Sequence, residues 1–518
     1  MATHKTNSDE QFDPSLCNED LKPLKTQKWN AYNIFAVWMT DVHSVAGYLT
    51  AGSLFSLRLA GWQVLAALIL GILIVHFCCN WVAKPSQVTG VPYPVINRAI
   101  FGIRGANIPA LLRGSIAIAW YGVQTFLASR ALLLVLLKLF PSLSFLHNVQ
   151  SYGFLGLSLL GWCSFGFMWA AQAALFWMGM AAIKRFIDWA GPAVYVVMMA
   201  LAFYLVANAG IHNLSLNFSG DPLPFGDSIP VMFTAIALVV SYFSGPMLNF
   251  GDFSRYAKSW GTVKLGNLLG LPVNFLFFSL LTVLTTSATL PVFGRLITDP
   301  IEIVEQIGNR TSAEWAGLTV VIAGGTTFVV GRYFLFPFFS IATIGINIVA
   351  NFISPAFDFS NLAPNYISWR SGGMITAIAS VLLTPWNWYN DPTAIHFTLG
   401  VLGALIGPLH GILVSGYYIA SKQTIWVSDL YSRDVNGRYW FSNGFNPNAV
   451  VATAISGMLS IASVILPKVM PALGSVHLFS WFIGCILGFG IFTLLEWLNP
   501  TIHLAGNLNA ASDGRKRI

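Results

Sequence analysis

Charged residues are scarce in this sequence. Asp, Glu, Lys and Arg make up 9% of the 518 residues, whereas a typical soluble domain carries roughly 25%. So few charges cannot cover the surface of a soluble protein, and apolar residues reach 55%. The apolar runs are continuous over about 20 residues or more, which favours transmembrane helices over the alternating strands of a barrel. The sequence therefore predicts an all-α integral membrane protein.

Cysteine pairs and catalytic motifs are also lacking. The five cysteines form no C-x-x-C pair, which argues against a disulfide framework or a zinc site. No H-E-x-x-H, G-x-S-x-G or P-loop string occurs, and no paired carboxylates are apparent within the spans. The sequence therefore contains no motif for metal-dependent hydrolysis or for ATP-driven transport. We predict no catalytic residues, no metal site and no resident cofactor, and we do not expect an enzyme.

Twelve apolar segments are candidates for membrane spans. They lie at about 30–55, 62–83, 108–138, 152–178, 186–208, 228–252, 262–291, 328–356, 372–388, 393–420, 447–467 and 474–496. A further apolar stretch at 313–327 makes the start of span eight uncertain and is interpreted as a short helix across the outer face. The polar residues 1–28 and 501–518 are interpreted as cytoplasmic tails, the first of them flexible.

Basic residues alternate between the loops and set the orientation. Lys84, Arg98, Arg104 and Arg113 follow span two, and similar groups follow spans four, six, eight and ten, whereas most intervening loops carry few. The positive-inside rule then places both termini in the cytoplasm of a multi-pass protein of the plasma or inner membrane. The net charge of +7 reports this topology, so we expect a lipid bilayer and no nucleic acid as partner.

Spans one and six are interrupted at mid-depth. Span one carries Asp41, His43 and Gly47 between Trp38 and Tyr48, and span six carries Gly245-Pro246. Backbone groups freed at such breaks survive in a membrane only where they line a cavity or bind a ligand. Corresponding breaks in two halves of a chain indicate an inverted-repeat transporter with its site between them. Two kinked structural helices are the alternative, although they leave Asp41 unexplained.

Two pairs of polar or aromatic residues share helical faces. Trp120 and Gln124 are four apart in span three, and Asn347 and Asn351 are four apart in span eight. An indole beside a carboxamide suits a flat heterocycle, because the ring stacks and the amide pairs with ring N–H and C=O groups. Packing of the indole and hydrogen bonding between helices are the alternatives, above all for Asn347.

Several strings resemble the nucleobase–cation symporter-1 family, which includes transporters of hydantoin, allantoin, cytosine and uracil. They are the region around Trp38 and residues 90–95 (GVPYPV), 101–106 (FGIRGA), 120–124 (WYGVQ), 249–255 (NFGDFSR) and 351–356 (NFISPA). The resemblance implies a leucine-transporter-like transporter domain at 29–500. It would contain inverted repeats at about 29–208 and 228–421 and two extra helices at about 447–496.

The resemblance also implies a substrate site. The family's stacking Trp falls on Trp120, its substrate amide on Gln124, and its span-eight Asn on Asn351, with Asn347 as a further candidate. Its second aromatic falls on Phe243, where hydantoin and allantoin transporters carry Trp, so Phe resembles the cytosine type. This set implies a neutral planar pyrimidine. Uracil is the first choice, and allantoin or hydantoin is the alternative.

The ion site departs from the family pattern. Sodium-coupled members use backbone carbonyls that fall here on Thr40 and His43, and span-eight hydroxyls that fall on Gly345 and Ile346. A hard cation thus loses two oxygen ligands, while Asp41 lies close to the same place. An intramembrane carboxylate is a functional candidate, and desolvation favours its protonated form. Proton coupling is therefore expected, with sodium binding through Asp41, or a capping role for Asp41, as alternatives.

Three classes of membrane protein remain after these observations. The breaks, the residue pairs and the family resemblance all favour a secondary transporter that imports a small heterocycle with a co-transported cation. A channel would need a continuous polar lining and no stacked aromatic site, and an embedded enzyme would need a catalytic motif. Nothing in the sequence requires an oligomer.

Overall fold

The computed structural model describes most of the chain. The described residues are 12–42, 47, 48, 51, 52, 54, 57–215, 222–300, 302, 303, 306, 307, 318–322, 326–330, 334, 335, 341–387, 392–470 and 476–502.

The described chain is mainly helical. The principal helices are α1 Ala31–Val42, α2 Gly61–Thr89, α3 Asn107–Leu139, α4 Leu159–Trp177, α5 Met180–Ala209, α6 Phe225–Leu248, α7 Trp260–Phe293, α8 Ile341–Ile348 continued by Val349–Ile353 and Ser354–Leu362, α9 Trp369–Leu382, α10 Pro392–Ser415, α11 Pro447–Val469 and α12 Ser480–Leu498. Shorter helices are Pro14–Leu16, Tyr93–Ile96, Arg98–Phe101, Pro141–His147, Val149–Tyr152, Ile211–Asn213, Gly251–Ser254, Pro385–Asn387 and Ser428–Tyr431.

Nine helices within the described ranges are long and apolar enough to cross a membrane: α2 to α7 and α10 to α12. They confirm the prediction of a helical membrane protein. Helices α1, α8 and α9 are not among these nine, so the count of twelve spans stays a prediction. Helix α1 is described as far as Val42. Residues 43–46, which include His43 and lie within the predicted break of span one, are outside the described residues.

Helix α6 differs from the prediction at Gly245-Pro246. It continues through both residues and ends at Leu248, followed by the short helix Gly251–Ser254. A proline removes only one helical hydrogen bond. With its amide turned so that both ends are satisfied, Asn249 donates to the Gly245 carbonyl at 2.8 Å. The interruption therefore lies at Asn249 and Phe250, later in the chain than the predicted position at Gly245-Pro246.

The structure has π-helical turns at Leu269–Val273 within α7 and at Val349–Ile353 within α8. A third, Gly416–Ala420, directly follows α10. A π turn accommodates an extra residue and changes which side chains share a face. The turn in α8 contains Asn351, one of the predicted site residues.

Two small antiparallel sheets lie outside the bundle helices. Strand β1 (Gly153–Phe154) pairs with β2 (Leu157–Ser158), and β3 (Leu318–Ile322), β4 (Thr326–Val330) and β5 (Phe334–Leu335) form a second sheet in that order. The short helix predicted at 313–327 and the span predicted to start at 328 are therefore wrong for the described residues 318–322 and 326–330. The β-branched Thr, Val and Ile residues there favour strands.

Trp38 fixes α1 within the bundle. Its ring is buried and stacks on Phe250, with centroids 4.7 Å apart, and its indole N–H donates to Asn267 Oδ1 in α7 at 2.7 Å. The end of α1 is thereby held between α7 and the segment after α6. The extra helices are attached through α10, where a Cβ on Gly407 or Gly411 would lie within 2.3 Å of a carbonyl oxygen of α12.

Residues 12–30 form an ordered segment, which we call the N-terminal strap, and we call the end of the bundle that it covers the N-terminal face. Arg255, buried after α6, donates to the carbonyls of Gly90, Asp20 and Lys22 at 3.0, 2.9 and 2.6 Å. Leu21 is fully buried. The expected flexibility of this tail is therefore wrong for residues 12–28. Its composition is polar, but its backbone carbonyls serve as acceptors for a buried guanidinium.

The strap also joins elements that are distant in sequence. Asn18 Nδ2 donates to Ser360 Oγ at 2.8 Å and to the carbonyls of Pro364 and Ile367, beside the end of α8. The Tyr431 hydroxyl donates to the Leu21 carbonyl at 2.6 Å. The strap thus links the ends of α6 and α8 with the loop between α10 and α11.

We predict that Arg255→Ala detaches the strap. Each lost hydrogen bond from a charged group contributes about 1.5–3 kcal/mol, so the thermal unfolding temperature should fall by several degrees. Trypsin should then cleave the intact detergent-solubilised protein after Lys25 or Lys28. Lys258→Ala, which removes a nearby exposed side chain, is the matched control. An Arg255 variant with wild-type stability and cleavage would contradict this role.

Candidate functional site

A cavity lies where α1, α3, α6, α8 and α10 meet. The space between its walls that protein atoms do not fill, including space open to solvent, is about 450 Å³. Its lining residues come from all five helices and are Asp41, Arg113, Ile116, Trp120, Gln124, Ser241, Tyr242, Ser244, Gly245, Pro246, Ile346, Ala350, Asn351, Leu402 and Ile406. Four predicted site residues, Asp41, Trp120, Gln124 and Asn351, therefore line one cavity.

Helix α3 supplies the aromatic and carboxamide wall. Trp120 and Gln124 are one turn apart on the same face, as their spacing predicted. Gln124 is buried, and its Oε1 has no hydrogen-bond partner among the described residues. A buried amide oxygen normally has a donor. Gln124 therefore presents an acceptor to whatever occupies the cavity.

Asn351 and Asn347 have different roles in α8. The Asn347 amide nitrogen lies within 3.1 Å of three acceptors, which are the Tyr121 carbonyl, Thr125 Oγ1 and Gln172 Oε1. Its Oδ1 accepts from Asn351 Nδ2 at 3.1 Å. Asn347 does not line the cavity, so the structure places it behind Asn351 as the residue that fixes the Asn351 amide.

Phe243 lies away from the predicted position. It packs edge-on against Trp38 and Phe275, with centroids 6.5 and 5.5 Å away, and lines a separate apolar cavity. Tyr242, one residue earlier, lines the main cavity, with its ring 6.4 Å from Trp120 at 83°. Successive helical residues point about 100° apart. Because α6 stays helical here, Tyr242 and not Phe243 is the aromatic residue of α6 in the cavity.

Asp41 reaches the cavity from the end of α1. It is buried, and its Oδ1 has no partner in the part of the chain that the structure describes. Thr40 beside it does not line the cavity. Its hydroxyl donates to the Ala36 carbonyl at 2.7 Å, within α1. A Cβ on Gly345 would lie 2.0 Å from Thr40 Cγ2. The close approach of α1 and α8 therefore requires glycine at position 345.

Arg113 is a cavity residue that sequence reasoning missed by assigning it to a loop. It lies in α3 and is buried, and its Nη2 donates to the Ala350 carbonyl at 2.7 Å. Its Nε donates to Asn249 Oδ1 at 3.2 Å in the orientation of that amide given above. Its Nη1 has no described partner. Arg113 is seven residues before Trp120, so helical periodicity could have placed it on the cavity face.

Ser241 is a second missed residue of the lining. Its hydroxyl is buried and has no hydrogen-bond partner in the described ranges. The cavity therefore combines an aromatic wall, unpartnered polar atoms of Gln124, Ser241 and Asp41, and the guanidinium of Arg113. Among the described residues, no group of three or more His, Cys, Asp or Glu side chains could hold a metal ion. Such a lining binds and orients a small polar ring.

Comparisons with known proteins agree with a substrate cavity in a helical bundle. The family described as "Permease for cytosine/purines, uracil, thiamine, allantoin" matches residues 22–484. The chain is 33% identical to the allantoin permease of Bacillus subtilis, covering 97% of each chain. It is also 33% identical to a purine-uracil permease of Arabidopsis thaliana, covering 89% of this chain and 73% of the relative.

Solved structures share the fold. A nucleobase-cation-symport-1 family transporter, in a closed conformation with bromovinylhydantoin bound, aligns with a TM-score of 0.72 at 19% identity. The alignment covers 96% of this chain and 100% of that one. A sodium-coupled sialic acid symporter aligns with a TM-score of 0.58 at 13% identity, covering 91% and 90%. These likenesses place the bundle among the leucine-transporter-like folds, as the sequence predicted.

The matched family consists of permeases and not of enzymes, and it covers nearly the whole chain. This protein therefore belongs to the family of membrane permeases for cytosine and purines, uracil, thiamine and allantoin.

Proposed function

We propose that this transporter imports a neutral ring with alternating N–H and C=O groups, with uracil as first candidate, by proton symport. The observation that carries the proposal is the α3 face, where the Trp120 indole lies one turn from the unpartnered Oε1 of Gln124. A stacked ring would place a ring N–H against this oxygen. Asn351 and Ser241 are positioned for the remaining polar edge of the ring.

Allantoin is the second candidate. Phe243 favoured a pyrimidine in the sequence, but it lies outside the cavity, so this reason for uracil no longer holds. The likeness to an allantoin permease over 97% of the chain supports allantoin, and the likeness to a purine-uracil permease supports uracil. The two rings share N–H and C=O groups, so the same amides serve either. Competition by the two unlabelled compounds against radiolabelled uracil separates the candidates.

We assign proton coupling to Asp41. The two positions of α8 where sodium-dependent relatives carry hydroxyls offer none here, because Gly345 has no room for a side chain and Ile346 is apolar. A hard cation prefers several oxygens, whereas a proton needs one carboxylate. The protonated Asp41 carries no charge into a buried cavity, and the ionised form gains the Arg113 guanidinium as an electrostatic partner. Sodium held by Asp41 itself is the alternative.

Orientation follows from the same proposal. Basic loops alternate with loops poor in Lys and Arg, so the N-terminal face is assigned to the cytoplasm of the plasma or inner membrane. One chain supplies every residue of the cavity lining, so a monomer suffices for transport. Alternating access would move α1 and α6 relative to α3 and α8 around this cavity.

We predict that Gln124→Ala weakens uracil binding. Removing the acceptor leaves a ring N–H unpaired in a buried site, which costs about 1–3 kcal/mol or roughly 5- to 150-fold in affinity. Competition uptake in whole cells also tests the chemistry. In the wild-type protein, N-methylated uracil should compete with radiolabelled uracil less well than unlabelled uracil does. In the variant, the two unlabelled compounds should compete equally. Gln150→Ala, at an exposed position, is the control. Equal competition by methylated and parent rings in wild type would exclude readout by Gln124.

We predict that Asp41→Asn separates exchange from accumulation. The amide fixes the group in a neutral form, so substrate exchange across proteoliposomes should persist while uptake driven by a pH gradient is lost. Wild-type uptake should rise as external pH falls and should be unchanged when choline replaces sodium. Asp227→Asn, at an exposed position in the first turn of α6, is the matched control. Uptake that stops without sodium and ignores pH would contradict the proton assignment.

A further inference from the structure

A second group of buried charges lies between the substrate cavity and the N-terminal face. Asp252 follows α6 and Asp358 lies in the last segment of α8, and both side chains are fully buried. Asp252 and Asp358 come from distant parts of the chain, so no local sequence pattern pairs them. With Asp41 they give three buried carboxylates. The buried guanidiniums are those of Arg113, Arg255 and Arg98, and Arg98 donates to Asn361 Oδ1 and to the carbonyls of Leu16 and Leu430.

The two carboxylates are incompletely satisfied. Asp252 Oδ1 accepts from the Tyr93 amide at 2.9 Å, but its Oδ2 has no partner among the described residues. Neither oxygen of Asp358 has one within the described ranges. The charges that act on Asp358 are those of Asp252 and Arg113. Arg255, which acts on Asp252, already donates to three carbonyls around the strap.

Other unpartnered polar groups surround the pair. Arg113 Nη1, the Tyr93 hydroxyl and both amide atoms of Asn97 are buried and make no hydrogen bond of normal geometry in the described part of the chain, although the Tyr93 hydroxyl lies beside the Asn97 amide. Asp358 is the charge that acts most strongly on both Tyr93 and Arg113. We call Tyr93, Asn97, Arg113, Asp252 and Asp358 the inner polar cluster. Buried polar groups normally have partners, so this number of unpartnered atoms in one region indicates a site that takes up something.

Charge counting defines what the cluster takes. Two buried carboxylates in one region cannot both remain ionised without a further positive charge nearby. Arg255 is held by the strap, and Arg113 is shared with Asp41. Arg98 is held by Asn361 Oδ1 and by the carbonyls of Leu16 and Leu430. Without it, the three carboxylates and the guanidiniums of Arg113 and Arg255 carry one more negative than positive charge when all five are ionised. One proton or one monovalent cation balances it.

The cluster connects two cavities. Arg113 lines the substrate cavity. On the other side Phe357, which precedes Asp358, lines a cavity at the N-terminal face together with Asp20, Tyr256 and Trp369. This second cavity encloses about 960 Å³ not filled by protein atoms, including space open to solvent. A proton or cation that moves from the substrate cavity to the cavity at the N-terminal face would therefore pass the inner polar cluster.

We propose that Asp252 and Asp358 form a second station for the coupled proton, with Arg113 as the positive charge shared between it and Asp41. This inference rests on the proposed proton coupling. The O–H bond at Asp41 breaks, an O–H bond forms at a carboxylate oxygen of the pair, and the same proton then passes to water in the cavity at the N-terminal face. Arg113 balances the charge of Asp41 when Asp41 is ionised and that of the pair when Asp41 is protonated.

Each element packed around the pair contributes a charged or titratable group that a pH profile must consider. These groups are Arg113 from α3, Tyr93 from the short helix before it, Arg255 and Tyr256 from the segment after α6, and Asp41 from α1. Arg255 also holds the strap, and Arg113 and Asp41 also line the substrate cavity. Only Asp252 and Asp358 are therefore suitable for substitution.

The test uses the full-length protein in proteoliposomes with radiolabelled uracil and a pH gradient. Asp358→Asn should retain equilibrium binding of uracil and exchange, while gradient-driven accumulation falls by about 5- to 150-fold, the range of a typical coupling. Asp358→Glu should recover accumulation, because a carboxylate is restored. Asp434→Asn, exposed in the loop between α10 and α11, is the matched control. If Asp358→Asn does not insert, Asp252→Asn replaces it with the same expectation.

Proton uptake on uracil binding separates this inference from the coupling proposal. In weakly buffered detergent, Asp358→Asn should still take up a proton when uracil binds, whereas Asp41→Asn should not. Wild-type accumulation in Asp358→Asn would overturn the second station and leave Asp41 intact. Proton uptake that survives in Asp41→Asn would overturn the coupling proposal instead. Accumulation that follows a sodium gradient at constant pH would exclude the proton at both stations.

Discussion

Burial of polar groups in a bundle surrounded by lipid is the constraint on which this structure depends. Inside such a bundle, each polar side chain must find a protein partner or face a cavity, because no water is available in the hydrocarbon. Asn347 meets this demand with acceptors on α3 and α4. Gln124 and Asp41 do not, and both face the cavity. Unsatisfied polar atoms that also face the cavity, such as Gln124 Oε1 and Asp41 Oδ1, are therefore the candidates for binding.

The same constraint connects the site to the rest of the molecule. Asn351 is positioned by Asn347, and Asn347 is held by α3 and α4, so the amide in the cavity depends on the packing of three helices. At the N-terminal face, Arg255 donates to carbonyls of the strap and of Gly90. Movement of the segment after α6 must therefore break these contacts or carry the strap with it.

Helical periodicity predicted much of the bundle and part of the site. The spacing of Trp120 and Gln124 was sufficient to place both on one cavity wall. It could not identify Tyr242 in place of Phe243, because that choice depends on whether α6 stays helical through Pro246. It also missed the pairing of Asp252 with Asp358, which lie on different spans. The strap was missed because its stability comes from backbone carbonyls, which composition does not reveal.

The central claim is that a ring stacks on Trp120 and donates to Gln124 within the cavity between α1, α3, α6, α8 and α10. A structure of the protein with bound uracil, determined by electron cryomicroscopy, tests it most directly. The account predicts ring density parallel to the Trp120 indole, with a ring nitrogen within about 3.2 Å of Gln124 Oε1. Density in the apolar cavity beside Phe243, or a ring with no contact to Gln124, would contradict it.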